Sequence, residues 1–191
     1  GIKPSILVMT ATPIPRTLSL AAYGDMDESR ITEKPLGRLH ITTISINLSK
    51  ENKLIDRLKE KLKTNEKVYW ICPLIEESEE LDLKAATIRY EYLNKIFKNK
   101  VLLIHGRLKE KEKEVVMEKF QKENYKILVA TTVIEVGIDI KEATSIIIEH
   151  AERFGLAQLH QLRGRIGRGS QKSSCLLLYT GKLSALAKDR L

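Results

Sequence analysis

The chain has 191 residues and a formal net charge of +8, with 42% hydrophobic and 30% charged residues. This composition is typical of a folded globular protein and excludes a disordered tail, and no apolar run reaches the ~18 residues of a membrane-spanning helix. The two cysteines, Cys72 and Cys175, lie far apart. They exclude a disulfide scaffold or a cysteine-rich zinc site, and they fit a reducing, cytoplasmic setting. The basic surplus is compatible with a polyanionic partner, although many proteins carry such charge for solubility alone.

Short apolar runs alternate with segments of helical periodicity along most of the chain. The predicted strands are Ser5–Met9, His40–Ile46, Val68–Ile71, Val101–Ile104, Ile127–Ala130, Ser145–Ile148 and Cys175–Tyr179. The predicted helices are Thr17–Tyr23, Ser49–Leu62 with Ser49 as N-cap, Asp82–Phe97, Lys109–Phe120, Gly155–Leu162 and Leu183–Leu191. Unalternated apolar strands are typical of strands buried on both faces. The order predicts an α/β fold with a mainly parallel sheet flanked by helices.

The segment Glu33–Arg38 predicts a domain boundary, because Pro35 and Gly37 interrupt both helix and strand. One strand, one turn and one helix precede it, too little to bury a core. We therefore expect residues 1–37 to be the end of a preceding domain plus a linker, and residues 38–191 to form the α/β domain. The patterns at both ends of the chain lead us to expect a piece of a longer protein.

The segment Gln158–Gly169 interleaves arginines with glycines. The arginines are Arg163, Arg165 and Arg168, and the glycines are Gly164, Gly167 and Gly169. A guanidinium group offers a rigid fork of donors that matches phosphate oxygens. The glycines allow tight turns and leave room for a ligand. This pattern favours stabilisation of the charge that develops in phosphoryl transfer. A solvated basic turn is the alternative.

Two further motifs follow predicted strands, at the edge where open parallel sheets bind ligands. In Ala130–Ile140, hydroxyls of Thr131 and Thr132 are available, Gly137 permits close backbone approach, and Asp139 can accept from a hydroxyl or orient an arginine. Capping by threonine and aspartate is the alternative reading.

His105, Gly106 and Arg107 follow the strand Val101–Ile104 and supply one cation and one flexible position. A structural histidine would explain the first of them equally well. Near the start of the chain, Thr10 and Thr12 precede Pro13 and are candidates for coupling a nucleotide site to a neighbouring domain, with helix capping as the alternative.

The chain lacks a Gly-x-x-x-x-Gly-Lys-Ser/Thr phosphate loop, a zinc-ligand cluster and a Gly-x-Ser-x-Gly elbow. Taken in order, the motifs around Thr10, His105, Thr131 and Arg165 resemble motifs III, IVa, V and VI of superfamily 2 helicases. Three longer strings, Met9–Leu18, Cys72–Glu79 and Glu152–Arg165, resemble the RecG family of branched-DNA helicases within that superfamily. The Mfd family of transcription-repair coupling factors shares motifs III, V and VI and is the alternative.

The resemblance implies a RecA-like, three-layer motor lobe over residues 38–191, with residues 1–37 ending the first lobe. It implies an enzyme that uses ATP and Mg²⁺, with the phosphates and the metal held by the first lobe. Arg165 and Arg168 would be arginine fingers, and Gln161 would couple the γ-phosphate to DNA. Gly137 and Asp139 would face the nucleotide.

The resemblance also implies contacts with branched DNA in repair and recombination. The DNA backbone would be contacted by His105, Gly106, Arg107, Thr131 and Thr132. Further partners would be the first lobe and a wedge domain of the same protein. The resemblance implies a bacterial, cytoplasmic protein that does not bind a membrane.

Two rival functions remain open at the level of sequence. A non-enzymatic nucleic-acid-binding α/β module would suit the charge of +8, but only 5% of residues are aromatic. A nucleotide-binding regulatory domain would use the arginines at a subunit interface.

The absence of a phosphate-loop motif from this sequence predicts how the isolated chain behaves toward ATP. We expect the isolated chain to hydrolyse no ATP, because nothing in its sequence cradles the triphosphate. A coupled-enzyme ATPase assay across a gel-filtration profile checks this. Turnover that follows the protein peak would contradict the assignment of the phosphate grip to another lobe.

Overall fold

The computed structural model describes residues 7, 9, 29, 39–73, 79–131, 140–167 and 169–181. The chain divides into two compact units, Gly1–Leu36 and Gly37–Leu191. In the first unit, Leu7 and Met9 are exposed and do not lie in a strand. The predicted strand Ser5–Met9 is therefore wrong at these two positions, since a strand needs neighbours to complete its hydrogen bonds and the described sheet uses no residue before Ile41. Its other residues, and the helices predicted over Thr17–Tyr23 and Leu183–Leu191, lie outside the described residues.

The second unit alternates strands and helices as the sequence predicts. The strands are β1 (Ile41–Asn47), β2 (Lys67–Cys72), β3 (Val101–Ile104), β4 (Ile127–Thr131), β5 (Ala143–Ile148) and β6 (Ser173–Tyr179). The α-helices are α1 (Glu51–Lys61), α2 (Glu79–Ile96), α3 (Glu110–Lys122) and α4 (Leu156–Arg163), and short 3₁₀ turns span Leu48–Lys50 and Ala151–Arg153. Within the described ranges, no helix combines the length and apolar character needed to cross a membrane.

The six strands form one sheet in the order β1-β6-β5-β2-β4-β3, and all five neighbouring pairs are parallel. The predicted parallel sheet is thus confirmed. Parallel neighbours require a crossover connection, so each helix returns the chain to the amino edge of the sheet. The carboxyl edge therefore collects the residues that follow each strand, and the amino edge collects those that precede it.

Alternate residues of the central strands feed two separate cores. In β2, Val68 and Trp70 point to the core shared with α1 and α2, whereas Tyr69 and Ile71 belong to the core shared with α3 and α4. All residues of β2, β4 and β5 are buried. Helices cover both faces of the centre of the sheet, which makes a three-layer α/β architecture and explains why these strands read as continuous apolar runs.

The start of α1 differs from its predicted position. Ser49 does not cap the helix: the side chain of Asn47 accepts a hydrogen bond from the Ser49 N–H at 3.0 Å and begins a 3₁₀ turn. The α-helix starts two residues after Ser49, with Lys50 at the N-cap and no side-chain cap. Asparagine and serine both satisfy free N–H groups at helix starts, and here the earlier residue does so.

A buried ion-pair network ties α2 to the end of β5. The Arg89 Nε lies 2.5 Å from the Glu149 Oε1, and the Trp70 Nε1 donates to the same oxygen at 2.6 Å. Arg89 also pairs with Glu51 of α1 and lies 5.2 Å from the Trp70 ring centroid. Burial raises the pKa of Glu149, while the charge of Arg89 and the Trp70 hydrogen bond act in the opposite direction. The carboxylate is thus held in a desolvated site by its partners.

We expect Arg89→Ala to lower the free energy of unfolding by about 3–5 kcal/mol, because it leaves the buried Glu149 carboxylate without its cation. Urea denaturation followed by far-UV circular dichroism measures this. The control is Lys59→Ala, which removes an exposed pair with Asp56 and is expected to cost less than about 1 kcal/mol. Equal losses in the two variants would contradict the role given to the network.

Candidate functional site

The carboxyl edge carries the residues predicted to contact nucleic acid. His105, Gly106 and Arg107 follow β3 directly, and Thr131 is the last residue of β4, the strand next to β3. A turn closes the first group, with the Leu108 N–H donating to the His105 carbonyl oxygen at 3.2 Å. The structure therefore brings these four residues to one end of two adjacent strands.

His105 is half-buried, and its Nδ1 is a buried atom with no hydrogen-bond partner within the described part of the chain. Burial first, and then the positive charges of Arg107 and Lys113, lower the pKa of His105, whereas Glu112 raises it. The imidazole is consequently neutral at pH 7.

Gly106 is a glycine that the fold itself does not require. A Cβ placed on Gly106 meets nothing within 4 Å, and its φ lies outside the positive range that favours glycine. Its neighbour Arg107 is exposed and lies 3.8 Å from the Glu80 carboxylate of α2. An exposed backbone position without a side chain permits close approach by a ligand.

Thr131 is nearly buried, with 4% of its surface exposed, and pairs in the sheet with Cys72. Burial raises the pKa of the Cys72 thiol, so this cysteine is uncharged and inert. Thr131 is the second residue of the Ala130–Ile140 motif and lies at the carboxyl edge of the sheet. The following motif residues 132–139 lie outside the described residues, and the chain is described again from Ile140, before β5.

Helix α4 joins the two edges of the sheet. It begins after β5 at the carboxyl edge, where the Gln158 side chain accepts from the Gly155 N–H at 3.0 Å, and it leads to the residues that precede β6. Leu159 and Leu162 bury one side of the helix in the core, and Gln161 is exposed. The predicted helix is confirmed, and its arginine-rich end lies at the amino edge.

Arg165 lies just beyond α4 and is half-buried. Among the residues that the structure describes, no carboxylate forms an ion pair with its guanidinium group. The next residue, Ile166, is fully buried in the core together with Ile140. The backbone that carries Arg165 is thus anchored, while its charge is uncompensated. A partly desolvated, unpaired guanidinium favours an anionic ligand.

Two glycines hold the loop after Arg165 against the sheet. Gly167 has φ +72°, and a Cβ there would lie 3.0 Å from the Ile41 Cγ1 of β1. A Cβ on Gly169 would lie 3.1 Å from the Lys141 carbonyl oxygen. The second contact brings the residue that follows the Ala130–Ile140 motif beside the arginine motif.

A polar cluster that no sequence motif indicated lies at the ends of β5 and β6. Glu152 Oε1 accepts from the Thr180 hydroxyl at 3.0 Å and lies 3.3 Å from the Nδ1 of His150. His150 adopts a left-handed conformation with φ 48°. The other carboxylate oxygen of Glu152 is buried and has no hydrogen-bond partner among the residues that the structure places. The signal was a run of polar residues directly after an apolar strand.

Six predicted site residues lie outside the described residues: Thr10, Thr12, Thr132, Gly137, Asp139 and Arg168. Within the described ranges, no group of three His, Cys, Asp or Glu side chains converges to hold a metal ion. The chemistry at Arg165 is cationic and fits the phosphate chain of a nucleotide, since an unpaired guanidinium binds phosphate oxygens and repels a metal ion.

Gly167→Ala tests how the arginine loop is anchored. We expect it to lower the free energy of unfolding by about 2 kcal/mol, because alanine is strained at this φ and its methyl group would press on Ile41. The matched control is Gly106→Ala, which meets no atom and is expected to leave stability unchanged or to raise it by up to about 1 kcal/mol. Thermal denaturation of both variants measures the difference, and an unaffected Gly167→Ala protein would contradict this packing.

Comparison with known proteins identifies the fold and the family. The family model described as the helicase conserved C-terminal domain matches residues 49–170. Domain 2 of the DEAD-box helicase Mss116p, solved with an RNA duplex, has a TM-score of 0.59 and 19% identity over 73% of this chain and 54% of that chain. The predicted RecA-like lobe is therefore confirmed as the fold.

Sequence relatives are the ATP-dependent DNA helicases RecG of Acidithiobacillus ferridurans, 51% identical, and Aquifex aeolicus, 55% identical. They cover 100% and 96% of this chain, which spans 28% and 23% of their own lengths. RecG bound to a three-way DNA junction has a TM-score of 0.78 and 43% identity over 94% of this chain and 23% of that chain. The predicted resemblance to RecG is confirmed, and the chain belongs to the helicase conserved C-terminal domain family.

Proposed function

We propose that this chain is part of an ATP-dependent DNA helicase or translocase that acts on branched DNA in repair and recombination. Residues 38–191 would be the second motor lobe, and residues 1–37 the end of the first lobe with its linker. The names of the RecG relatives and the junction bound by one of them support this. The protein would work in the bacterial cytoplasm.

The observation that carries the proposal is the state of Arg165. It sits on an anchored loop, is partly desolvated, and has no ion-pair partner within the described residues. A structural arginine in such a position would be expected to pair with a carboxylate, as Arg89 does. Arg165 is therefore suited to a ligand that arrives from outside this lobe.

In the proposed mechanism, ATP is held between the two lobes, and Arg165 and Arg168 donate to the γ-phosphate. As phosphoryl transfer proceeds, charge builds on the equatorial oxygens, and the guanidinium groups stabilise it. Mg²⁺ would accompany the nucleotide on ligands of the first lobe and neutralise the phosphate charge there. Gly137 and Asp139 would complete the nucleotide side of this lobe.

The DNA contact is proposed at the carboxyl edge. The open backbone at Gly106 allows a phosphate to approach, and Arg107 supplies a positive charge. His105 lies beside them at the end of the same strand, and burial lowers the pKa of its imidazole. Thr131 and Thr132 would add hydroxyl or N–H groups from the next strand. These contacts read the DNA backbone rather than the bases.

Helix α4 would couple the two sites. Its eight residues span about 12 Å, with Gln161 exposed near the arginine end and Gly155 at the carboxyl edge. Since Leu159 and Leu162 fix this helix in the core, a change at the nucleotide is passed to the whole lobe. Hydrolysis would release the bridge between the lobes and shift this lobe along the duplex. Thr10 and Thr12 would transmit the same event in the first lobe.

We expect Arg165→Ala and Arg168→Ala, made in the longer protein, each to reduce ATP turnover by about 10³–10⁵ and to leave DNA affinity within about threefold. DNA-stimulated phosphate release and fluorescence anisotropy measure the two quantities. Arg57→Ala on the exposed face of α1 is the control and is expected to retain turnover. Wild-type turnover in both finger variants would remove the assignment.

A further inference from the structure

A small basic pocket lies at the amino edge of the sheet, between the C-terminal ends of α1 and α2. Its volume is about 210 Å³, and five of its eight lining residues are lysines: Lys59, Lys63, Lys98, Lys100 and Lys126. The remaining three are apolar, including Phe97, and none is acidic. We refer to these five lysines and the cavity between them as the lysine pocket.

Only part of this positive charge is balanced by carboxylates. Lys59 on α1 pairs with Asp56 at 3.2 Å, and Lys63, just after the helix, pairs with Glu60 at 2.5 Å; both pairs are exposed. The Lys126 ammonium donates to neutral acceptors, the Thr64 carbonyl at 2.9 Å and the Asn65 Oδ1 at 3.3 Å.

The side chains of Lys98 and Lys100 have neither an ion pair nor a hydrogen bond to a residue in the described ranges, and both residues are exposed. The lysine pocket therefore keeps a net positive charge.

In and beside the lysine pocket, neighbouring ammonium groups also disfavour one another's protonated form. Burial, and then the charge of Lys100, lower the pKa of Lys126. Burial, and then the charge of Lys126, lower the pKa of Lys67, while Glu142 opposes this. A bound anion would remove the repulsion, because an opposite charge favours the protonated form of each lysine.

A favourable interaction with a helix dipole explains the position of only some of these lysines. Lys59 lies in the last turn of α1, where a cation is favoured by the carbonyl end of the helix. Lys100 and Lys126 instead immediately precede β3 and β4. Three separate stretches of chain thus bring cations to one cavity, a convergence that helix capping does not require.

We propose that the lysine pocket binds backbone phosphates of a nucleic-acid segment separate from the segment at the carboxyl edge. Lysine ammonium groups act as point charges, so they contact phosphates without reading the bases. Lys100 and His105 flank β3 and are about 16 Å apart along the strand, so the two sites contact different stretches of nucleic acid. This inference rests on the proposed function, since branched DNA offers more than one arm.

The test uses the present chain and a labelled three-way junction of arbitrary sequence, with fluorescence anisotropy at 50–200 mM salt. For the double variant Lys98→Gln with Lys100→Gln, we expect binding roughly 5- to 50-fold weaker near 0.1 M salt, and a salt dependence reduced by about two released counterions. A junction of unrelated sequence should show the same loss. The control, Lys53→Gln with Lys119→Gln, removes the same charge from exposed positions on α1 and α3 and should stay within about twofold.

A third variant separates this inference from the proposed function. Arg107→Gln removes charge from the carboxyl edge and is expected to weaken junction binding independently of the lysine pocket. If Arg107→Gln loses affinity while the lysine double variant binds like its control at every salt concentration, the lysine pocket is not a nucleic-acid site and the proposed function stands. If the lysine variant alone loses affinity, the pocket stands and the carboxyl-edge assignment fails.

Two competing anions test whether the lysine pocket binds a ligand other than nucleic acid. Polyglutamate that binds the wild-type chain as tightly as the junction, and loses affinity in the lysine double variant, would identify an acidic protein segment as the ligand and overturn the proposal. Inorganic phosphate that displaces the junction at micromolar concentration would overturn it in favour of a free anion. Glutamine replaces exposed side chains here, so thermal denaturation should match the wild type and loss of affinity will report on charge.

Discussion

Every neighbouring pair of strands in the described sheet is parallel, and the placement of each functional group depends on this constraint. A parallel pair cannot be closed by a tight turn, so the chain must cross a face of the sheet before each new strand. The crossings bury the central strands completely and leave polar chemistry to the two edges. One edge receives the residues after each strand, including Gly106 and Thr131, and the other receives the arginine loop and the lysine pocket.

The same constraint gives α4 its significance. It is the crossover between β5 and β6, so it must run from one edge to the other whatever its sequence. The polar residues that precede it, His150 and Glu152, and the arginines at its end are consequently held at a fixed separation by a single rigid element. The glycines at 167 and 169 then press the arginine loop onto Ile41 and Lys141, which anchors the backbone of Arg165, a side chain with no ion pair to any described residue.

The sequence predicted the sheet, its direction and four helices because buried parallel strands and amphipathic helices leave strong local patterns. It also predicted the helix that leads into the arginine and glycine motif; the role of that motif stays a prediction. It failed where the outcome depends on distant partners. Nothing local indicates that Arg89 meets Glu149. The start of α1 was missed for a local reason, because Asn47 and Ser49 can both cap a helix start and the earlier residue does so. The lysine pocket is assembled from positions 59, 63, 98, 100 and 126, which no window of sequence brings together.

Trp70 is the one tryptophan of the chain, and it is fully buried in the central strand β2. Its indole N–H donates to Glu149 and its ring faces Arg89, so the chromophore sits where three elements of the lobe converge. All indole emission from this polypeptide therefore originates at one desolvated position, next to a carboxylate and a cation that quench or shift it as they move. The protein carries an intrinsic optical probe, and its wavelength maximum will report whether α1, α2 and β5 stay docked when ligands arrive.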